Sequence, residues 1–96
     1  MLRHIVMWKF RENEQEKANA FLKGLSRLPA LIPEIRKMEI GQSKDPDGEY
    51  DAVLIADFEN EADLLTYKNH PEHRALSALC KEIRTDRRFI DYEFDS

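Results

Sequence analysis

The sequence predicts an α+β domain in which a four-stranded antiparallel sheet carries helices on one face only. Three observations lead there. Two segments, near residues 2–10 and 50–58, are apolar on both alternating faces, as central strands are. Helical periodicity fills the stretches between and after them. The element order is strand, helix, strand, strand, helix pair, strand, which short right-handed connections close into a single sheet.

Each element has a local reason. Leu2 to Phe10 alternates His4, Val6, Trp8 and Phe10 on one side with Arg3, Ile5, Met7 and Lys9 on the other. A helix is expected from about Asn13 to Leu28, with Asn13 and Glu16 as a capping pair and Pro29 as its stop. Its stripe is Ala18, Phe21, Leu22, Leu25 and Leu28. Ile35 to Gly41 reads as a half-exposed strand, and Ser43 to Gly48 has turn chemistry. Tyr50 to Phe58 is the third strand, with Ala52-Val53-Leu54-Ile55-Ala56 at its centre. Asn60 caps a short helix to about Asn69. Pro71 then suits the first position of another helix, whose stripe takes in His73, Leu76, Cys80 and Ile83. Phe89 to Phe94 alternates as the fourth strand. The sum is a ferredoxin-like βαββαβ arrangement in one domain, residues 1–96.

A sheet with helices on one face leaves the other face bare, yet the central strands are apolar on both. A bare apolar sheet marks an interface, and a second copy of the chain is the simplest cover. The sequence therefore predicts a homodimer through the open sheet face.

Composition narrows the function. The net charge is −4, with 35% charged residues, which argues against nucleic acid and against an anionic membrane surface as partners. No apolar run approaches the ~18 residues of a spanning helix, and the N-terminus has neither the length nor the cleavage site of a signal peptide. Cys80 is the single cysteine, so no internal disulfide forms and the cytoplasm is the expected compartment. No phosphate loop, dinucleotide fingerprint or zinc spacing occurs, so no cofactor is expected.

Leu2-Arg3-His4-Ile5-Val6-Met7-Trp8-Lys9-Phe10, Ile32-Pro33-Glu34-Ile35 and Tyr67-Lys68-Asn69-His70-Pro71-Glu72-His73 together resemble the stress-responsive A/B barrel (Dabb) domain, over nearly the whole chain. The resemblance implies a dimeric α+β barrel, two ferredoxin-like subunits joined sheet to sheet, and a stress-related role. A plant member of that family is a polyketide cyclase. Its acid/base tyrosine and histidine match Tyr67 and His73, and its first-strand histidine matches His4; a further pocket histidine falls at Ala52 here.

The residues themselves admit two readings. In the first, a pocket between sheet and helices, bordered by His4, Trp8, Tyr67 and His73, binds an apolar or aromatic small metabolite without changing it. In the second, the domain is a cofactor-independent enzyme, a cyclase or isomerase. His73 then moves a proton and Tyr67 holds a developing enolate oxygen. Either residue also has a structural alternative, His73 as a capping or carbonyl-bonded side chain and Tyr67 as a core aromatic. His70 reads as the cap before Pro71. His70 with His73 lacks a carboxylate in clear register for a metal, and none is assigned.

Overall fold

The structure, a computed structural model, describes residues 1–95; Ser96 lies outside the described residues. The elements are β1 (Leu2–Phe10), α1 (Gln15–Leu31), β2 (Lys37–Gln42), β3 (Ala52–Phe58), α2 (Glu61–Asn69), α3 (Pro71–Ile83) and β4 (Arg84–Glu93). The sheet order is β2-β3-β1-β4 and every pairing is antiparallel, which is the ferredoxin-like α+β fold. β1 pairs along nearly its full length on both sides, with His4 opposite Ala56 of β3 and Asp91 of β4.

The strand alternation sorts the two faces as the sequence predicts. His4, Val6, Trp8 and Phe10 are buried beneath the helices together with Ala52, Leu54, Ala56 and Phe58. Their partners from α1 are Ala18, Phe21, Leu22, Leu25 and Leu28, and α3 adds Cys80 and Ile83. Gly24 permits close approach of α1 to α3: a Cβ there would lie 2.5 Å from Leu76 Cδ2. On the other face Ile5, Met7, Val53, Ile55 and Ile90 form an apolar band that no helix covers. At its edge the Arg3 guanidinium donates two hydrogen bonds to Asp57, at 2.8 and 3.0 Å.

Five boundaries differ from the sequence expectation. Asn13 does not cap α1, which starts at Gln15 after Glu14 and has no side-chain cap bond. Nor does Pro29 end it, since the helix runs on to Leu31. Proline there forfeits one late hydrogen bond, whereas continuing the helix seats Leu28 and then Ile32, both fully buried, in the core. β2 begins at Lys37 because Ile35 is tucked into a turn, its N–H donating to Ile32 O. β3 begins at Ala52, while Tyr50 turns aside and donates its hydroxyl to Asp86 at 2.8 Å. β4 begins five residues earlier than Phe89, at Arg84, directly after α3. Its charged first half gives no apolar alternation, but an edge strand tolerates that, and the backbone pairs with β1 as far as Phe10 opposite Arg84. Other signals hold: Asn60 Oδ1 accepts from Asp63 N at 2.9 Å, and His70 Nδ1 accepts from Glu72 N at 3.1 Å with Pro71 opening α3.

Candidate functional site

Three elements deliver the predicted side chains to one place. β1 points His4 and Trp8 toward the helices, the last turn of α2 brings Tyr67, and the first turn of α3 brings His73. All four border a small chamber of about 40 Å³ between sheet and helices, together with Leu25, Leu54, Leu76 and Cys80. That space takes a few atoms. Beyond it, between α3 and β4, lies an open groove of about 510 Å³ that again touches His4 and His73. The groove exists because β4 is an edge strand the helices do not reach, so Phe89, on the helix-facing side, stays 56% exposed.

The aromatic packing fixes the geometry. Tyr67 is held by Phe58, with ring centroids 5.2 Å apart, and lies 4.4 Å from the His73 ring and 6.3 Å from the His4 ring. Trp8 packs edge-on against Phe21 at 5.1 Å and forms wall rather than polar surface.

Each histidine has one ring nitrogen committed. His4 Nδ1 lies 2.5 Å from Asp91 Oδ1, and His73 Nδ1 lies 3.1 Å from Lys68 O. A carboxylate and a carbonyl accept only, so both Nδ1 atoms carry the proton and both Nε2 atoms are left with a lone pair. Among the described residues neither Nε2 nor the Tyr67 hydroxyl has a hydrogen-bond partner, and no buried side-chain polar atom is sealed away unpaired. The three free polar atoms therefore reach accessible space.

Electrostatics keeps these groups neutral. Burial pushes the His4 imidazole below its usual range, with Asp91 pulling in the opposite direction. Burial likewise lowers His73; the Lys68 carbonyl opposes this, and the charges of Arg87 and Lys68 add to it. Tyr67 is pushed well above the usual phenol range by burial, so it keeps its proton. Cys80, also raised by burial, is an unreactive thiol. The chamber thus offers two neutral bases and one donor, the set needed to take a proton from a carbon acid while steadying its oxygen.

A family model for the stress responsive A/B barrel domain matches residues 2–94. The chain belongs to that family. Among solved structures, a dimeric ferredoxin-like protein of unknown function from Bacteroides fragilis NCTC 9343 is 34% identical, with a TM-score of 0.88, covering 97% of this chain and 95% of that one. A dimeric ferredoxin-like protein of unknown function from Thermobifida fusca yx is 28% identical, with a TM-score of 0.85 and coverage of 97% and 90%. A hydroxynitrile lyase from Passiflora edulis shares the fold at 16% identity, with a TM-score of 0.85 and coverage of 98% and 93%. No curated protein matches the sequence.

In this A/B barrel domain the four residues singled out by sequence, His4, Trp8, Tyr67 and His73, do come together, whereas His70 is spent as a helix cap. Sequence reasoning missed Asp91, the partner of His4, and it missed Arg87, which lines both chamber and groove. Both lie on β4, and the register of β4 against β1 is the signal that places Asp91 opposite His4 and Arg87 opposite Trp8. No helix among the described residues is long and apolar enough to cross a membrane.

Proposed function

We propose that this A/B barrel domain works as a homodimer, joined through the open sheet face, whose pocket binds a small apolar or aromatic metabolite between sheet and helices. The observation that carries the binding reading is the convergence of His4, Tyr67 and His73 on a chamber that shares His4, His73, Ser77 and Arg87 with the adjoining open groove. A ligand site of this kind, apolar walls with a few placed polar atoms, is what small-molecule recognition requires. The dimer rests on the uncovered band of Ile5, Met7, Val53, Ile55 and Ile90, and on the dimeric relatives from Bacteroides fragilis and Thermobifida fusca. An NMR screen of small aromatic and carbonyl compounds tests the pocket. Binders should move the ring signals of His4 and His73 together, and a set of binders that moves neither would rule the site out.

A second reading, cofactor-independent proton transfer, is favoured by one observation: both imidazoles have Nδ1 tied down and Nε2 free beside an unbonded phenol. His73 would be the base, with His4 held in the same tautomer by Asp91, and Tyr67 the donor to a developing oxyanion. The hydroxynitrile lyase shows that the same fold carries an enzyme in Passiflora edulis. With any carbonyl substrate found to turn over, His73→Ala should lower the rate about 10²–10⁴-fold, the usual worth of a general acid or base. Tyr67→Phe should lower it by about 10²–10³-fold at most. Normal turnover by a folded His73→Ala protein would dismiss the chemistry and leave the binding reading in place.

A further inference from the structure

The chain is acidic overall, yet the groove beside the chamber is cationic. Lys68 from α2, Arg74 and Lys81 from α3, and Arg87 from β4 line it, and no aspartate or glutamate does. Arg84 adds a further positive charge at the chamber itself. Elsewhere cations stand beside carboxylates: Arg3 with Asp57, Lys9 with Asp51, Arg36 with Glu59 and Arg88 with Asp86. Among the described residues no such ion pair includes Lys68, Arg74, Lys81 or Arg87. The other concavities differ in kind. One mixes Lys9 and Arg11 with Glu12, Asp45 and Asp51, and another holds Glu59, Glu61, Asp91 and Glu93 with no lysine or arginine.

Like charges gathered in one groove repel, and at Arg87 the charge of Asp91 offsets this in part. Burial and then the charge of Arg84 hold the Arg87 guanidinium below its usual range. Between the cations runs an apolar strip, the exposed Phe89 ring, with Arg87 4.9 Å and Lys68 5.9 Å from its centroid. A concave site lined by one sign of charge focuses its field on whatever enters.

We infer that the ligand of this pocket is a small organic anion, whose carboxylate or phosphate rests in the groove among Lys68, Arg74, Lys81 and Arg87 while its uncharged end enters the chamber at His4, Tyr67 and His73. The inference deepens the binding reading above and rests on it. Volume sets the orientation: the chamber of about 40 Å³ takes only a few atoms, so the charged head and the bulk of the body lie in the groove of about 510 Å³, against Phe89. The cations also reach beyond a single contact. Arg74 and Lys81 are seven residues apart on one helix, about 10 Å along its axis, so the field extends over the length of a small molecule.

The test uses the whole chain and three probes, benzoate, benzamide and inorganic pyrophosphate, followed by NMR at the His4 and His73 rings and by calorimetry. Benzoate and benzamide share a body and differ in charge. Benzoate should bind at least about tenfold more tightly than benzamide, and its affinity should fall as salt is raised. The double variant Lys68→Gln with Lys81→Gln, on side chains that reach solvent, should weaken benzoate about tenfold and leave benzamide unchanged. Pyrophosphate separates the two sources of charge: binding of benzoate alone assigns a carboxylate, and tighter pyrophosphate binding that competes with benzoate assigns a phosphate. Equal affinities for benzoate and benzamide, unaltered in the double variant, would overturn the anion while leaving the pocket reading intact. If no probe, charged or neutral, moves either histidine, the pocket reading falls and the anion with it.

Discussion

Two neighbours on β3 show how differently the sheet's two faces are treated. Leu54 points under the helices, is 1% exposed and touches the chamber. Ile55 points the other way, opposite Ile5, which in turn stands opposite Ile90, and keeps partial exposure. Both are large aliphatic residues in a central strand, so local propensity does not distinguish them. What distinguishes them is the cover each face receives: α1, α2 and α3 on one side, and on the other nothing from this chain. The covered face serves as the domain's own core, and its free space is concentrated where α3 and β4 part. The open face is apolar without being filled, which is the character of a surface awaiting a partner.

The largest effect should come from the covered face. Leu54→Ala removes a fully enclosed side chain beside an already imperfectly filled space, and should cost about 2–5 kcal/mol in denaturant unfolding. The loss should be insensitive to protein concentration, because it arises within one chain. A cost below about 1 kcal/mol would mean that the chamber collapses readily on Leu54 and is no fixed site.

Ile55→Glu should act on the other face and in another observable. A carboxylate set into an apolar interface is desolvated without a counter-charge. The proposed dimer should weaken by at least about 100-fold in sedimentation, while the circular dichroism of the chain stays helical and stranded. A variant that remains dimeric at low micromolar concentration would place the subunit contact elsewhere.

The element types, the two-faced strands and the chamber residues were legible in the sequence because each rests on a local rule. His4 follows from strand alternation, His73 from its spacing to Leu76 behind Pro71, and the open face from Ile5 and Ile55 being apolar where no helix remained to cover them. What was not legible depends on pairing. Pro29 reads as a stop, and only the pull of Leu28 and Ile32 into the core carries the helix past it. The segment from Arg84 to Arg88 reads as solvated charge, so the sequence alone places the start of β4 too late. Without that start the register of β4 cannot be drawn, nor can the match of Asp91 to His4. The groove's cations were hidden for the same reason: Lys68, Arg74, Lys81 and Arg87 come from three elements and become one surface only when α3 lies alongside β4.

A smaller effect separates the faces by pH. His4 and His73 lie on the covered side, and burial lowers both below the ordinary value of 6.5. The unfolded chain takes up protons near 6.5 while the fold resists them until lower pH. Stability should therefore be complete above 6.5 and decline as pH falls toward the depressed folded values. Melting temperatures of the wild type at pH 7.5 and 5.5 should show that loss, and His73→Gln should reduce it. An unchanged difference in His73→Gln would mean that His73 is already solvated and not part of an enclosed site.

The smallest change expected tests the exception within the covered face. Phe89 stands opposite Val6 across the β4–β1 pair and points to the same side of the sheet, yet Val6 is 2% exposed and Phe89 is 56% exposed. If the groove is open in solution, Phe89 contributes little packing to the fold. Phe89→Ala should then shift stability by no more than about 0.5–1 kcal/mol, the range of surface substitutions plus a partly shielded ring. Urea unfolding of Phe89→Ala beside Val6→Ala makes the comparison internal, because the two residues are cross-strand neighbours on one face. Val6→Ala should cost more, since it opens a void that no flexible side chain can fill. A Phe89→Ala loss as large as that of Val6→Ala would show that the ring folds down over the chamber in solution. The groove would then be closed in the resting domain, and a ligand would have to displace Phe89 before reaching His73.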